Sequence, residues 1–305
     1  VKTTWEEHAK GKFEGPWPVF LREDGSVQCD IPPEYKEGGF LPTLRFPRAQ
    51  PGKEGTSYDV RPIDDCTASG LNPAINLLEQ LRMEGLSTLL SCAHEVREDF
   101  QDWGPDGAPA FAKGDHEKAY RQWPVHPDDY KYVVALVWDP LVGDAGGFQA
   151  FIHKALPFGA ALAVWAYTSI SQGVVQILRR VFGVPQLVYV DDFLRAFPRR
   201  WAAILEDAFQ RVHAMLGIPL KEGKDKVACN IEALGHHIAA TSAWAGLAMT
   251  DRRAAKCRDL VQHSLESGFQ HNQAAVLSGN LQFALMATAG NLGAAFTRSI
   301  SQAKP

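Results

Sequence analysis

Residues 185–197 read PQLVYVDDFLRAF. Two apolar runs rich in β-branched and aromatic residues, PQLVYV (185–190) and FLRAF (193–197), flank an adjacent pair of aspartates. Such runs favour extended chain and the polar pair between them marks a tight turn. The stretch therefore predicts a β-hairpin with Asp191 and Asp192 at its tip. Adjacent carboxylates on one turn repel each other unless a cation neutralises them. A divalent ion such as Mg2+ suits that role, because it takes oxygen ligands and keeps part of its water shell for substrate phosphates. One such pair does not usually hold two ions, so a further carboxylate is expected to converge on the site. Asp115, in FAKGDHEKAYRQWPV, is the candidate. The competing reading is an ordinary solvated Asp–Asp turn.

Outward from the hairpin, KYVVALVW (131–138) is short, apolar and β-branched and predicts a buried strand. Residues 160–182 form a long apolar stretch that predicts a buried helix stopping before Gly183. Trp201, Leu205, Ala208, Val212 and Met215 recur at helical steps and Gly217 follows as a stop, the pattern of an amphipathic helix. Residues 72–97 carry helical spacing with a break expected near Gly85. The first 60 residues are rich in proline and glycine and read as extended chain with short strands and loops. Residues 250–305 read as polar, then helical. The order strand, helix, hairpin, helix, strand suits an α+β fold, a small antiparallel sheet backed by helices.

With 305 residues, 46% of them hydrophobic, the chain can bury a core spread over two or three subdomains. Charged or polar residues interrupt every apolar run, so no membrane span is expected. The chain begins at Val1 with nothing like a secretory leader, which reads as a piece of a longer polypeptide, either processed or excised. The five cysteines are widely spaced and odd in number, and no CxxC pair occurs. That disfavours a structural zinc site or a disulfide framework and points to reduced thiols in an intracellular protein, in cytoplasm or nucleus. A net charge of -4 does not favour nucleic acid, but a phosphate-tracking surface needs only local positive charge. Basic residues cluster at Arg179-Arg180, Arg195, Arg199-Arg200, at Lys221, Lys224 and Lys226, and at Arg252, Arg253, Lys256 and Arg258. Each cluster reads equally as a solvated face.

YVDD between two strands resembles the polymerase motif of reverse transcriptases, and further segments resemble the same family in the same order. VRPIDDCTASGLN (60–72) looks like the fingers segment with a triphosphate-binding basic residue. DHEKAYRQWPVHP (115–127) is similar to the D-x-x-x-A-Y-R-Q-I-P-V-H-P block of retroelement enzymes, with Trp123 where an aliphatic residue is usual. LPFGAALAVWAYTSI (156–170) resembles the L-P-F-G block. LGIPLKEGKDK followed by EALGHHI looks like the closing palm segment and primer grip. AAVLSGNLQFALMATAGNLGAAFTRSI resembles the helical segment after the palm in DIRS-like and gypsy-like retrotransposons. Together the blocks span roughly residues 5–300.

The resemblance implies a right-hand polymerase: fingers over 1–107, a palm over 108–240 with part of the fingers inserted, and a partial helical thumb over 241–305. It implies an RNA-directed DNA polymerase that adds deoxynucleoside triphosphates to a primer on an RNA or DNA template. Two Mg2+ ions, or Mn2+, would lie about 3.5–4 Å apart. Asp115 and Asp191 become shared metal ligands, Asp192 a less direct partner, and the His116 carbonyl a further ligand. Tyr120 occupies the position that rejects a ribose 2′-hydroxyl by its bulk. Arg61 becomes the triphosphate clamp, unless it only pairs with Asp64 or Asp65. Lys224 is the lysine that protonates departing pyrophosphate, with Lys221 and Lys226 as competitors. Phe158 and Gly159 fall beside the nascent base pair, Tyr189 is a further substrate-binding residue, and Leu234-Gly235 hold the primer end. His236-His237 read as strand-edge residues. No ribonuclease H, protease or integrase pattern follows. The rival readings are a catalytically inactive reverse-transcriptase-like module that binds nucleic acid, and an RNA-templated RNA polymerase, against which Tyr120 argues.

Overall fold

The computed structural model describes residues 1–24, 26–35, 39–51, 58–77, 79–81, 83–142, 146–223, 226–268 and 271–285. Along the chain come α1 (Lys2–Ala9), β1 (Phe13–Leu21), β2 (Val27–Cys29), β3 (Pro42–Pro51), β4 (Tyr58–Asp64) and the single turn α2 (Leu71–Ala74). Next are α3 (Leu86–Asp99), β5 (Pro109–Asp115), β6 (Val134–Asp139), β7 (Gly147–His153) and α4 (Ala161–Phe182). The hairpin strands β8 (Gln186–Tyr189) and β9 (Asp192–Pro198) precede α5 (Ala202–Met215). The last elements are β10 (Lys226–Ala228), β11 (Asn230–Ala233), β12 (His236–Ala240), β13 (Ala245–Met249), α6 (Asp251–Ser267) and α7 (His271–Leu285). The chain divides into two compact units, Val1–Leu81 with Lys118–Ser169, and Arg82–Glu117 with Ile170–Pro305.

The first unit is built on a six-stranded sheet in the order β2-β1-β7-β6-β3-β4. Only β3 and β6 pair in parallel; the other pairs are antiparallel. One apolar cluster gathers Cys29, Ile31, Val125, Tyr130, Val134, Ala150 and Ile152, and another gathers Phe13, Ala135, Val137 and Phe151. The strands here are longer than the proline-rich composition suggested, and β3 runs for 10 residues. The chain also opens with a helix, which the sequence reading missed. α1 lacks an apolar stripe and is held instead by polar side chains: Trp5 Nε1 donates to Asp139 and Glu7 accepts from two arginines.

The second unit carries a four-stranded antiparallel sheet, β10-β5-β9-β8, and a three-stranded one, β11-β12-β13. Their shared core joins Leu86, Leu89 and Ala93 of α3 to Phe111, Leu187, Leu194 and Ala196, and to Ala233, Ile238 and Ala240. α3 presents these residues at helical spacing, so one face is buried. The two helices expected on either side of Gly85 are not both present: α2 ends at Ala74, the described residues from 75 to 85 are not helical, and only α3 fulfils the expectation.

Three expectations need correcting. His236 does not sit at a sheet edge: β12 is the central strand of its sheet and alternation turns His236 fully inward. Arg195 is not part of a phosphate-tracking surface. It is 1% exposed, paired with Glu206 at 2.8 Å and stacked 3.5 Å above the Phe209 ring, because its place on β9 points into the core. Finally, α4 is long and apolar enough, by length and composition, to cross a membrane. Its apolarity serves a buried stripe of Ala163, Tyr167, Val174, Val175 and Leu178.

Candidate active site

β8 and β9 form the expected hairpin, with Tyr189 opposite Asp192 and only Val190-Asp191 between them. Val190 has φ 60°, a left-handed conformation that a β-branched residue rarely adopts. A two-residue turn of that hand matches the twist of the flanking strands, and here it takes a strained residue to make it. The other side of β9 pairs with β5 in a register that sets Asp115 directly opposite Asp192. Directly opposed residues project from the same face, so both carboxylates point to one side of the sheet. Asp115 is buried at 7% exposure, and half-buried Asp191 follows in the turn. The geometry brings together the three carboxylates chosen from sequence on one strand end and one turn.

Lys113, two residues before Asp115 on β5, reaches its Nζ to within 3.0 Å of Asp192 Oδ1. Among the described residues no group of three or more His, Cys, Asp or Glu side chains forms a ready metal cage. Two opposed carboxylates, of which Asp192 already holds an ammonium, nevertheless mark a position that attracts cations. Mg2+ is commonly held by one or two carboxylates with water and substrate phosphates, and Asp115 and Asp192, opposed on one face of the sheet, are two donors of that kind.

Below the carboxylates the unit is packed with rings. His116 lies 4.6 Å from Phe193 and 5.2 Å from His213, centroid to centroid, and His213 lies 4.2 Å from Phe209. Phe209 crowds β5 so closely that a Cβ on Gly114 would meet its ring at 2.9 Å. Burial, then the neighbouring His213, pushes the His116 imidazole down to about 3. Burial likewise pushes His213 down to about 4, against the raising effect of its hydrogen bond with the Phe209 carbonyl. Both rings are neutral near pH 7. The backbone of His116 is fixed by a bridge to Leu220, in which Lys221 N donates to Asp115 O at 2.8 Å.

The remaining candidates fall into separate groups. In the first unit, Tyr120 sits on a short 3-10 turn after two left-handed residues, Lys118 and Ala119. Its ring packs edge-on to Phe158 at 5.2 Å and against Tyr167 at 4.9 Å. Gly159 has φ 109°, and a Cβ there would stand 2.2 Å from the Asp64 carbonyl oxygen. Asn72, which sequence reasoning passed over, clamps this turn by donating to Gly159 O and accepting from Ala161 N. Arg61 is exposed on β4, opposite Arg48, and does not pair with Asp64. Asp64 instead faces Arg45 and His153.

In the second unit, Leu234 and Gly235 make the two-residue turn between β11 and β12, both with positive φ. A Cβ on Gly235 would collide with the Arg253 side chain at 2.6 Å. Half-buried Tyr189 closes β8. Lys224 lies outside the described residues. Lys113 also escaped notice, although its signal was legible: a charge at i−2 from Asp115 on a strand must share its face.

A similar arrangement of strands and helices occurs in a foamy viral protease-reverse transcriptase, the dRH form in complex with double-stranded DNA. It matches at a TM-score of 0.55 and 15% identity over 79% of this chain and 36% of that one. The chain has a reverse-transcriptase-like fold. A second foamy viral protease-reverse transcriptase, also with double-stranded DNA, matches at a TM-score of 0.51 and 15% identity, over 78% of this chain and 42% of that one. The chain thus spans well under half the length of either protein. No family model matches the sequence, and no curated protein matches it either.

Proposed function

We propose that the chain is an RNA-directed DNA polymerase that extends a primer on an RNA or DNA template with deoxynucleoside triphosphates. The observation that carries this reading is the β5–β9 register, which sets Asp115 opposite Asp192 beside the Asp191 turn. Mg2+ held by Asp115, Asp191, Asp192 and the His116 carbonyl would lower the barrier to attack by the primer 3′-oxygen on the α-phosphorus. A P–O bond forms, the α–β bridge breaks and pyrophosphate leaves; Lys224 is proposed to return a proton to it. The protein's own part is positional. Tyr120 presents a rigid ring, locked by Phe158 and Tyr167, to the sugar. Arg61 offers a guanidinium with no ion pair among the described residues for a triphosphate. Phe158 and Gly159 are proposed to border the base pair, Tyr189 to bind substrate, and Leu234-Gly235 to hold the primer end.

The same reading carries the division into fingers (1–107), palm (108–240) and thumb (241–305), an origin in a DIRS-like or gypsy-like retroelement polyprotein, and an intracellular setting. A second reading, a non-catalytic module that binds nucleic acid, is favoured by one observation: Lys113 already neutralises Asp192.

Primer extension on oligo(dT)–poly(rA) with Mg2+ or Mn2+ tests the two, run beside Asp191→Asn. Extension by the native chain alone, with dTTP preferred over UTP, is the expected result. Retention of the duplex by both forms without extension by either would select the binding module.

A further inference from the structure

We propose that Lys113 is a built-in counter-cation of the carboxylate cluster, which engages Asp192 and thereby sets how tightly the site binds divalent metal. The inference rests on the metal-dependent reading above and deepens it. Along β5 every residue is buried except Lys113, which sits at the position sharing a face with Asp115. Its register partner on β9 is Leu194, so Asp192 is its diagonal neighbour, within reach of a long side chain. The 3.0 Å contact closes that diagonal, and both side chains are about three-quarters withdrawn from solvent, at 24% and 23% exposure. Asp115 and Asp192, opposed with like charge, would otherwise repel in the metal-free protein. The ammonium removes that repulsion and competes for Asp192 when a metal arrives, leaving metal binding chiefly to Asp115 and Asp191.

A merely structural ion pair would change stability without changing metal affinity, so the readout is metal binding itself. Mn2+ is titrated into the full chain without nucleic acid, with free Mn2+ followed by electron paramagnetic resonance. Lys113→Met, which keeps the aliphatic stem and removes the charge, is expected to tighten binding about fivefold, the equivalent of a partly exposed ion pair. Lys113→Arg, which keeps the charge, should hold the native midpoint.

Asp192→Asn supplies a second arm. It should weaken binding little in the native background and several-fold more in the Lys113→Met background. If Lys113→Met proves unfolded by circular dichroism, Lys113→Gln takes its place in both arms. An unchanged or weakened midpoint on removing the charge, with native binding intact, overturns the proposal and leaves the polymerase reading standing. No Mn2+ binding by the native chain overturns both.

Discussion

At Gly159 a φ of 109° and a Cβ position 2.2 Å from the Asp64 carbonyl oxygen leave no other residue an unstrained place, and the obstructing atom is backbone that cannot swing away. Gly159→Ala is expected to cost about 3 kcal/mol or more in urea unfolding, the sum of a disfavoured φ and a main-chain clash. Gly173 offers the contrast. It lies inside α4 with nothing within 4 Å of its Cβ, so Gly173→Ala should stabilise by about 0.5–1 kcal/mol in the same assay. The sequence marked Gly159 as a place of close backbone approach, and the approach that the structure shows is to the Asp64 carbonyl. Residue types did not signal Val190 or Leu234, whose left-handed turns go against the preferences of valine and leucine. Tertiary pairing on both sides of those turns overrides local preference.

Among the elements, the end of β5, β9 and α5 meet through the rings of His116, Phe193, Phe209 and His213. The folded values of about 3 and about 4 lie below the ordinary 6.5, so the fold accommodates the neutral imidazoles. Their contribution is complete above pH about 6.5 and is lost as pH falls toward 4 and then 3. Each histidine should cost about 2 kcal/mol of stability at pH 5 relative to pH 7.5. Urea midpoints at the two pH values check this, and His213→Phe should shrink the difference by removing one of the two groups. The helix α5 was plain in the sequence, but its expected stripe was only partly right: Trp201 and Met215 are exposed, and Phe209 and His213 join Ala208 and Val212 on the buried face. That its His213 would meet His116 was not plain, because 97 positions separate them and only the sheet brings them together.

On the scale of a whole compact unit, the first one is tied together by buried charge. Glu7 accepts from Arg121 Nε at 3.1 Å and Arg45 Nη2 at 3.0 Å, and both guanidiniums lie 4.8 Å from the Phe13 ring centroid. Arg121 Nη1 donates to His153 Nδ1, which leaves the proton on Nε2, facing Asp64 at 3.3 Å. Burial raises the Asp64 carboxyl, but His153 and then Arg45 and Arg121 outweigh it and hold the group below its ordinary value. Burial presses His153 the other way, toward its neutral form. Glu7→Ala removes the carboxylate between two arginine side chains that are each 3% exposed. It should cost about 3 kcal/mol. Hydrogen exchange should quicken first in β3 and β7, where Arg45 and His153 sit. Exchange confined to α1 would show that the network contributes little.

The sequence by itself determined the α+β class, the hairpin with Asp191 and Asp192, and the helices α3, α4 and α5. These follow from local rules: side-chain period, turn chemistry, and the repulsion of adjacent like charges. Only the tertiary structure decided that Asp115 faces Asp192, that Lys113 reaches across to neutralise it, that Arg195 is buried, and that His236 lies on a central strand. Each of those depends on strand order and register, which are set by long-range burial of whole faces.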